Sequence, residues 1–323
     1  MTKFNSKLLI IAALFINQGL RAESKQQLFS LSEVDAALNI GGSPIQIGLP
    51  GLGNGNQKDT EMNHDCHALS EFNNANVCVS TTVGSESQDV IYFLHGAFGD
   101  EHEWTAGMNV DLRTAIRNHW QEMGIDAPTV ISISFGKTWM LNDLDNSLET
   151  FAQKIIPQVE NSIFPNGLQG KRILFGISMG GYNASQLYLK HPELWSRAVM
   201  IAPMMPLCNP YQSDVEIFKC IKADRTKKNT LLTQLSHYLV KKSFPTEEAW
   251  LEHSPVAIGP KYLNPKLPDL LMSTGDHDDF GFFTKNKEFA EIARQRGTFI
   301  TWLPTDGKHA RYDAIAVSEF LLK

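Results

Sequence analysis

The segment Gly176–Gly181 contains the residue types that nucleophilic catalysis requires. It reads Gly-Ile-Ser-Met-Gly-Gly, and it lies between an apolar run of strand length, 172–175, and an amphipathic helical stretch, 182–190. A tight strand–turn–helix of this kind exposes the serine hydroxyl and points a helix N-terminus at the reacting centre. The alternative, a glycine-rich phosphate turn, lacks the lysine and the spacing of that motif. The pattern therefore predicts Ser178 as a nucleophile.

A serine hydroxyl needs a general base, and the base needs an acid that orients it. Around a turn of this type the chain order is serine, then acid, then histidine. His309 fits the base, because it lies in a loop between the apolar run 298–303 and the last helical stretch, 312–322. The acid is expected in the loop after the apolar run 270–272. Three carboxylates compete there, and spacing alone does not rank them: Asp276, Asp278 and Asp279.

Backbone amides that stabilise an oxyanion are expected at two places. One is the residue after the nucleophile, Met179. The other is the loop His95–Asp100, which follows the apolar run 90–94. Within it we favour Ala97 over Phe98 as the donor. We expect His95 to be structural, since His309 fills the role of base.

Several aromatic side chains near these segments are candidates for binding substrate. If they line a pocket, an apolar or aromatic acyl group suits it better than a charged one. The alternative is that most of them are ordinary core residues. The candidates are Phe98, Trp104, Trp139, Tyr182 and Phe280.

The elements that must position these residues alternate along the chain. Apolar runs of strand length recur between amphipathic helical stretches, and they lack the polar alternation of a half-exposed strand. This alternation predicts an α/β fold with a mostly parallel central sheet flanked by helices. The segment 206–265 breaks the alternation, and we interpret it as an insertion over the active-site end of the sheet.

The N-terminus has the layout of a secretory signal peptide over residues 1–22. Lys3 and Lys7 precede a short apolar run, and small and polar residues lead to Ala22. We therefore expect an exported protein, either periplasmic or extracellular. Residues 23–75 are predicted to be an N-terminal extension that is partly loop, and residues 76–323 the catalytic domain. No later apolar run is long enough to span a bilayer, so no stable membrane insertion is expected.

Four cysteines fall into two pairs, each twelve positions apart. In an exported chain this spacing favours two local disulfides, Cys66–Cys78 and Cys208–Cys220. A metal site is the alternative for the first pair, with ligands from His64, Cys66, His67 and Cys78. That spacing matches no standard zinc pattern, so no metal is predicted.

The composition limits the classes of partner. Hydrophobic residues make up 42% of the 323 residues and charged residues 20%, which is typical of a globular protein. The 35 acidic residues outnumber the 29 basic ones, and a net charge of -6 argues against a nucleic-acid surface. The sequence does not indicate an oligomeric state.

These motifs together resemble the esterase family of α/β-hydrolases, over roughly residues 75–323 judged by motif order. That family includes S-formylglutathione hydrolase, feruloyl and acetyl esterases, enterochelin esterases and mycolyltransferases. The segments that carry the resemblance are Ile91–Gly96 with Asp100 and Trp104, Phe151–Phe164 with Glu160, Gly176–Gly181, His191–Pro203, Gly275 with Asp278 and Phe280, and His309.

The resemblance implies an α/β-hydrolase fold and a Ser-His-Asp triad that needs no cofactor. It points to Asp278 as the acid, with Asp276 next, because the family places the acid in a Gly-x-x-Asp-x-Phe segment. The expected activity is hydrolysis of a small-molecule or polymer-linked carboxylic ester through an acyl-enzyme. The alternatives are acyl transfer to a sugar or lipid hydroxyl, and a non-catalytic surface-binding module on a hydrolase fold.

Overall fold

An eight-stranded sheet in the order β1-β2-β4-β3-β5-β6-β7-β8 organises the chain. The computed structural model describes residues 62–72, 75–224, 226 and 228–323. The predicted signal peptide, 1–22, and most of the predicted extension, 23–75, lie outside the described residues. The strands are β1 (Met62–Leu69), β2 (Ala75–Thr82), β3 (Val90–Leu94), β4 (Thr129–Ser134), β5 (Arg172–Ile177), β6 (Arg197–Ile201), β7 (Asp269–Ser273) and β8 (Ile300–Trp302).

Strands β3 to β8 run parallel, and β1 and β2 join them as an antiparallel hairpin at one edge. Every residue of β3, β4 and β6 is buried. Continuous apolar runs of this kind form strands that are covered on both faces. The predicted α/β class with a mostly parallel sheet is therefore confirmed.

Helices cover both faces of the sheet. Alternate residues of each strand face one layer or the other, which divides the core into two large clusters. No helix among the described residues is long and apolar enough to cross a bilayer. The helices are α1 (Val110–Glu122), α2 (Ser147–Thr150), α3 (Ile156–Ile163), α4 (Met179–Lys190), α5 (Asp214–Ala223), α6 (Thr230–Ser243), α7 (Glu247–Leu251), α8 (Pro255–Tyr262), α9 (Phe283–Gln295) and α10 (Ala314–Leu322), with a π-helical turn at Phe151–Ile155 and a 3-10 turn at Pro192–Leu194.

The sheet begins earlier in the sequence than residue 76, the predicted start of the catalytic domain. Strand β1 lies inside the range predicted to be an extension, and it pairs with β2 over its whole length. Most of β1 is exposed and polar, so no apolar run announces it in the sequence. It is an edge strand, held by backbone hydrogen bonds and by a disulfide to β2.

Both predicted disulfides, Cys66–Cys78 and Cys208–Cys220, are present in the structure. Cys66 and Cys78 lie directly opposite each other across the β1–β2 hairpin. Cys208 and Cys220 connect the loop after β6 to helix α5. Two disulfides are typical of a protein that folds in an oxidising compartment.

The connection between β6 and β7 contains helices α5 to α8 and corresponds to the predicted insertion, 206–265. It bonds to the loop after β7, because the Asn229 amide donates to the Asp279 carbonyl at 2.7 Å. It also bonds to α4, since the His253 carbonyl accepts from the Tyr182 hydroxyl and the Gln186 amide. This connection therefore packs against both the helix after Ser178 and the loop that contains the candidate acids.

Candidate active site

Ser178 lies between the last residue of β5 and the first residue of α4. Its backbone has φ 55° and ψ -115°, a left-handed conformation that is rare for a residue other than glycine. Backbone hydrogen bonds hold it there: the Ser178 amide donates to Ile201, and its carbonyl accepts from Tyr182 and Met204. Strain of this kind persists only where the surroundings over-determine it. The residue is 9% exposed, at the carboxyl edge of the sheet.

The glycines around Ser178 are required by close packing of backbone on backbone. A Cβ atom at Gly176 would overlap the Gly180 carbonyl, and one at Gly180 would overlap the Leu94 carbonyl. A Cβ atom at Gly96 would stand 3.6 Å from the Cβ of Ser178, which is ordinary contact. The turn, the end of β3 and the loop after β3 are therefore packed against one another, with Gly96 beside the serine.

Asp278 and His309 form a hydrogen-bonded pair at the same edge of the sheet. The His309 Nδ1 atom lies 2.7 Å from the Asp278 Oδ2 atom. The other carboxylate oxygen of Asp278 accepts the Phe280 amide at 2.9 Å, and the Asp278 side chain is fully buried. Both oxygens are thus bonded, which keeps a buried carboxylate satisfied.

The two neighbouring aspartates have other partners. The Asp276 carboxylate accepts the Gly307 amide at 3.3 Å, and its side chain is 46% exposed. Burial raises the pKa of Asp279, and the Asp278 charge acts in the same direction, whereas Lys308 lowers it. Of the three carboxylates that compete in the sequence, the structure joins Asp278 to His309.

The loops that hold Asp278 and His309 are joined by their backbones. The Asp276 amide donates to the Thr305 carbonyl at 2.9 Å, and the His277 amide donates to the Gly307 carbonyl at 3.0 Å. A Cβ atom at Gly275 would overlap the Gly307 carbonyl, so this approach needs glycine. The two loops extend the pairing of β7 and β8 and fix the distance between acid and base.

Two phenylalanine rings flank the His309 imidazole. The Phe280 ring centroid lies 4.4 Å from that of His309, and Phe282 makes an edge contact at 5.5 Å. Phe282 is fully buried, whereas Phe280 is partly accessible. Together with the Asp278 bond to Nδ1, these contacts orient the imidazole, and no hydrogen bond within the described part of the chain engages its Nε2.

The two amides predicted to bind the oxyanion, those of Ala97 and Met179, lack the backbone acceptors that the amides of Phe98 and Gly99 have among the described residues. The Phe98 amide donates to the Lys137 carbonyl at 2.7 Å, and the Gly99 amide donates to Gly96 at 3.1 Å. No hydrogen bond among the described residues engages the Ala97 amide. The Met179 amide belongs to the first turn of α4, where amides have no partner within the helix. Ala97 and Met179 are therefore available as donors, and Phe98 is not.

His95 holds the loop that contains Ala97. Its Nδ1 donates to the Gly96 carbonyl at 2.7 Å, and its Nε2 accepts from the Trp139 indole at 2.9 Å. The Ser134 hydroxyl also lies 2.9 Å from Nε2. Burial lowers the pKa of His95, although the bond to Gly96 raises it. A neutral imidazole is what this pattern of one donor and one acceptor requires.

Glu103 is a buried carboxyl group that no sequence motif marks. It lies beneath the loop after β3, against Gly99, and bonds to the Gly96 amide. Burial raises the pKa of Glu103 to about 7, against the opposing effects of Arg113 and the Gly96 amide. The sequence shows only an exposed-looking acidic run at residues 100–103, so nothing in it signals a buried acid.

The five predicted substrate-binding aromatics have different surroundings. Trp104 is fully buried against Phe93. Trp139 is buried and bonded to His95, and the buried Tyr182 hydroxyl donates to the His253 carbonyl. Phe98 is 40% exposed, and Phe280 is partly exposed beside His309. Only these last two present accessible ring surface.

Comparison with known proteins places these features in context. The family model described as "Putative esterase" matches residues 80–303. A comparison with curated proteins finds no match.

Solved structures with similar folds include several esterases. A ferulic acid esterase has a TM-score of 0.55 and 16% identity, and the alignment covers 82% of this chain and 97% of that one. Carboxyl esterase 2 from the mycorrhizal fungus Tuber melanosporum has a TM-score of 0.54 and 18% identity over 91% and 93% of the two chains. A thermostable esterase from Pseudomonas putida has a TM-score of 0.54 and 16% identity over 82% of each. At such low identity these likenesses establish the fold, and they confirm the predicted α/β-hydrolase architecture.

Proposed function

The chain belongs to the esterase family and is a carboxylic ester hydrolase, and from this premise we propose that it acts through an acyl-enzyme on Ser178. The observation that carries the proposal is the 2.7 Å bond between His309 Nδ1 and the buried Asp278 carboxylate. This bond lies at the same edge of the sheet as the strained turn of Ser178. A nucleophile, an acid and a base that follow one another in this chain order are typical of α/β-hydrolases.

In the proposed reaction His309 Nε2 takes the proton of the Ser178 hydroxyl as its oxygen attacks the ester carbonyl. The bond from Nδ1–H to Asp278 fixes the tautomer that leaves Nε2 free to accept a proton, and it stabilises the imidazolium that forms. His309 then returns the proton to the leaving alcohol. Water attacks the acyl-enzyme by the same route, which releases the acid and restores Ser178.

The Ala97 and Met179 amides are proposed to bind the oxyanion of the tetrahedral intermediate. Two preorganised donors stabilise such an intermediate by several kcal/mol. His95 and Glu103 hold the loop that carries the Ala97 amide, because each bonds to the backbone of Gly96, the residue before Ala97. The loop is thus fixed before substrate arrives.

We assign the substrate as a small-molecule or polymer-linked ester with an apolar or aromatic acyl group. The accessible rings of Phe98 and Phe280 support this, since Phe280 lies directly against the imidazole. A panel of acetyl, butyryl and feruloyl esters tests it. Rates that rise with acyl size and fall in Phe280→Ala are expected, and equal rates for all three would contradict the assignment.

Export to the periplasm or the extracellular space is proposed on two grounds. The signal-peptide pattern of residues 1–22 supports it, and so do the two disulfides. Fractionation of cells that express the full chain is the test. We expect the mature protein outside the cytoplasm with residues 1–22 removed, and a full-length cytoplasmic product would contradict this.

The mechanism is tested by labelling with a fluorophosphonate, which reacts with an activated serine hydroxyl. Intact-mass analysis should find one adduct on the wild type and none on Ser178→Ala. We expect turnover of Ser178→Ala to fall by about three orders of magnitude or more. Near-normal turnover in that variant, or no adduct on folded wild type, would overturn the proposal. Product analysis with added alcohols then separates hydrolysis from acyl transfer.

A further inference from the structure

Four side chains that could bind a metal ion converge where the β1–β2 hairpin meets the loop after β3. They are His64 and Cys66 of β1, Cys78 of β2 and His102 of the loop. One ligand atom from each residue lies within 4.8 Å of all the others. The sequence alone suggested His67 for such a set, but His67 follows Cys66 and points to the opposite face of the strand. His102 takes its place, from a part of the chain with no motif to announce it.

Four of the six distances between the ligand atoms are close to the edges of a tetrahedral site, and the S–S bond of 2.01 Å must open to about 3.8 Å to complete it. With Zn–N near about 2.0 Å and Zn–S near about 2.3 Å, the edges of a tetrahedron are about 3.3 Å between nitrogens and about 3.5 Å between nitrogen and sulfur. His64 Nε2 and His102 Nδ1 are 3.2 Å apart. Cys66 Sγ lies 3.1 Å from His64 Nε2 and 3.6 Å from His102 Nδ1, and Cys78 Sγ lies 3.5 Å from His102 Nδ1.

Each imidazole also has a partner on its other nitrogen. His64 Nδ1 lies 2.8 Å from the hydroxyl of the buried Ser80. His102 Nε2 lies 3.6 Å from the Glu101 carboxylate. Metal-binding histidines usually bond through their second nitrogen as His64 does, which fixes the ring and directs the other lone pair at the metal, whereas the Glu101 carboxylate stands beyond hydrogen-bond distance of His102. Convergence of ligands and support behind them are two independent features of a built site.

The disulfide between Cys66 and Cys78 is the one feature of the cluster that excludes a metal. We propose that reduction of this disulfide converts the cluster into a Zn²⁺ site formed by His64, Cys66, Cys78 and His102. A dithiol reductant breaks the S–S bond by thiol–disulfide exchange: it gives two electrons and two protons and leaves as its own disulfide. Zn²⁺ then replaces the two thiol protons and binds two thiolates and two neutral imidazoles, a set with no net charge.

The two sulfur atoms stay close together after the disulfide is reduced. Cys66 and Cys78 are directly opposed in the hairpin register, so backbone hydrogen bonds keep both side chains on one face after the covalent bond is broken. His102 is fixed independently, since its amide donates to Asp100 and its carbonyl accepts the Thr105 and Ala106 amides. Either chemical state, disulfide or metal, therefore holds the hairpin, but only the metal also binds the loop after β3.

The test is zinc binding by the full-length protein, before and after reduction with a phosphine. Equilibrium dialysis with elemental analysis should find one Zn²⁺ per chain in the reduced protein and none held tightly in the oxidised protein. Alkylation with mass mapping should show that Zn²⁺ protects Cys66 and Cys78. Co²⁺ is a second probe, because tetrahedral thiolate coordination gives it a visible absorption that the disulfide form lacks.

His102→Ala is the decisive variant, because the His102 side chain is 48% exposed and we expect the variant to fold. We expect it to weaken zinc binding by at least about tenfold, and Ser80→Ala to weaken it by about tenfold through loss of support for His64. His67→Ala, on the opposite face of β1, is the matched control and should bind as the wild type does. No zinc in the reduced wild type, or equal zinc binding by His102→Ala and the wild type, would overturn the proposal. The cluster would then be a disulfide beside two histidines, His64 and His102, that bond to each other.

Discussion

The Asp278 carboxylate bonds to His309 at 2.7 Å, whereas the Asp276 carboxylate, two residues earlier, bonds to the Gly307 amide at 3.3 Å. One aspartate therefore contacts the imidazole itself, and the other contacts the loop that carries it. Two nearly adjacent carboxylates thus differ in what their removal should do. One change should act on the chemistry of the base and the other on the shape of its loop.

Asp278→Asn should lower kcat for ester hydrolysis by about four orders of magnitude, because an amide favours the wrong tautomer of His309 and does not stabilise its cation. Asp276→Asn keeps an acceptor for the Gly307 amide, and we expect less than about a tenfold loss. Steady-state kinetics on a chromogenic ester measure both. A larger loss in Asp276→Asn than in Asp278→Asn would reverse the assignment.

Substitutions at two glycines near Ser178, Gly180 and Gly96, should have different effects, one on folding and the other on catalysis. A methyl group at Gly180 overlaps the Leu94 carbonyl, so Gly180→Ala should lower the free energy of unfolding by about 3 kcal/mol or prevent folding. A methyl group at Gly96 makes only ordinary contact with Ser178, 3.6 Å away, and should leave the melting temperature nearly unchanged. It stands beside the Ser178 Cβ atom that carries the reacting oxygen, however, and we expect kcat/KM to fall by about tenfold or more.

Thermal melts and kinetics on the two variants provide the check. The expected result is an unstable Gly180→Ala protein and a stable, slow Gly96→Ala protein. A Gly96→Ala enzyme with normal kinetics would show that substrate does not approach along this side of Ser178.

The sequence predicts the parallel core of the sheet well, because strands buried on both faces are short runs without charged residues and rich in apolar ones. The predicted run 90–94 coincides with β3, and 129–134 coincides with β4. The run 298–303 is longer than β8, Ile300–Trp302, whose partly exposed residues mark a sheet edge. Strand β1 escaped prediction for the same physical reason, since an exposed edge strand needs no apolar face.

Some residues of the candidate site can be predicted from the sequence, and others cannot. The turn around Ser178 is visible in the sequence because backbone close to backbone requires glycines at fixed positions. The choice among Asp276, Asp278 and Asp279 is not visible, since it depends on which carboxylate reaches His309 across 31 residues. The sequence also gives no sign of the roles of Glu103 and His102. Glu103 is buried, and His102 meets the cysteines of the hairpin, only once the loop after β3 has folded.

Glu103 should make stability depend on pH. Burial raises its pKa from 4.5 to about 7 in the folded protein, so between these values the folded state holds a proton that the unfolded state has lost. The contribution of Glu103 is therefore complete below about pH 4.5, declines as the pH rises, and is lost above about pH 7. A shift of this size corresponds to about 3 kcal/mol.

Urea unfolding of the wild type and Glu103→Gln between pH 4 and pH 8 measures this effect. The amide stays neutral, so the variant should gain stability relative to the wild type as the pH rises. Glu122→Gln, at the exposed end of α1, is the control for loss of one charge. A constant difference between the wild type and Glu103→Gln across this range would mean that the pKa of Glu103 is the same in the folded and the unfolded protein.

Glu160 joins three elements at a distance from Ser178. Its carboxylate accepts from Arg172 at 2.5 and 2.7 Å and from the Tyr92 hydroxyl at 3.1 Å, which connects α3 to β5 and β3. Glu160→Ala leaves a partly buried guanidinium and a buried hydroxyl unpaired. Because the Arg172 side chain is 32% exposed, solvent reduces the cost, and we expect a loss of about 2 kcal/mol in the free energy of unfolding.

Tyr92→Phe removes one of these hydrogen bonds and should cost about 1 kcal/mol. Arg172 begins β5 and Ser178 follows its end, so the cluster is separated from the reacting centre by the length of the strand. We therefore expect both variants to keep the wild-type kcat when rates are normalised to fluorophosphonate-titrated sites. A fall in normalised kcat without loss of stability would show instead that Glu160 positions the turn at Ser178, through the strand that carries it.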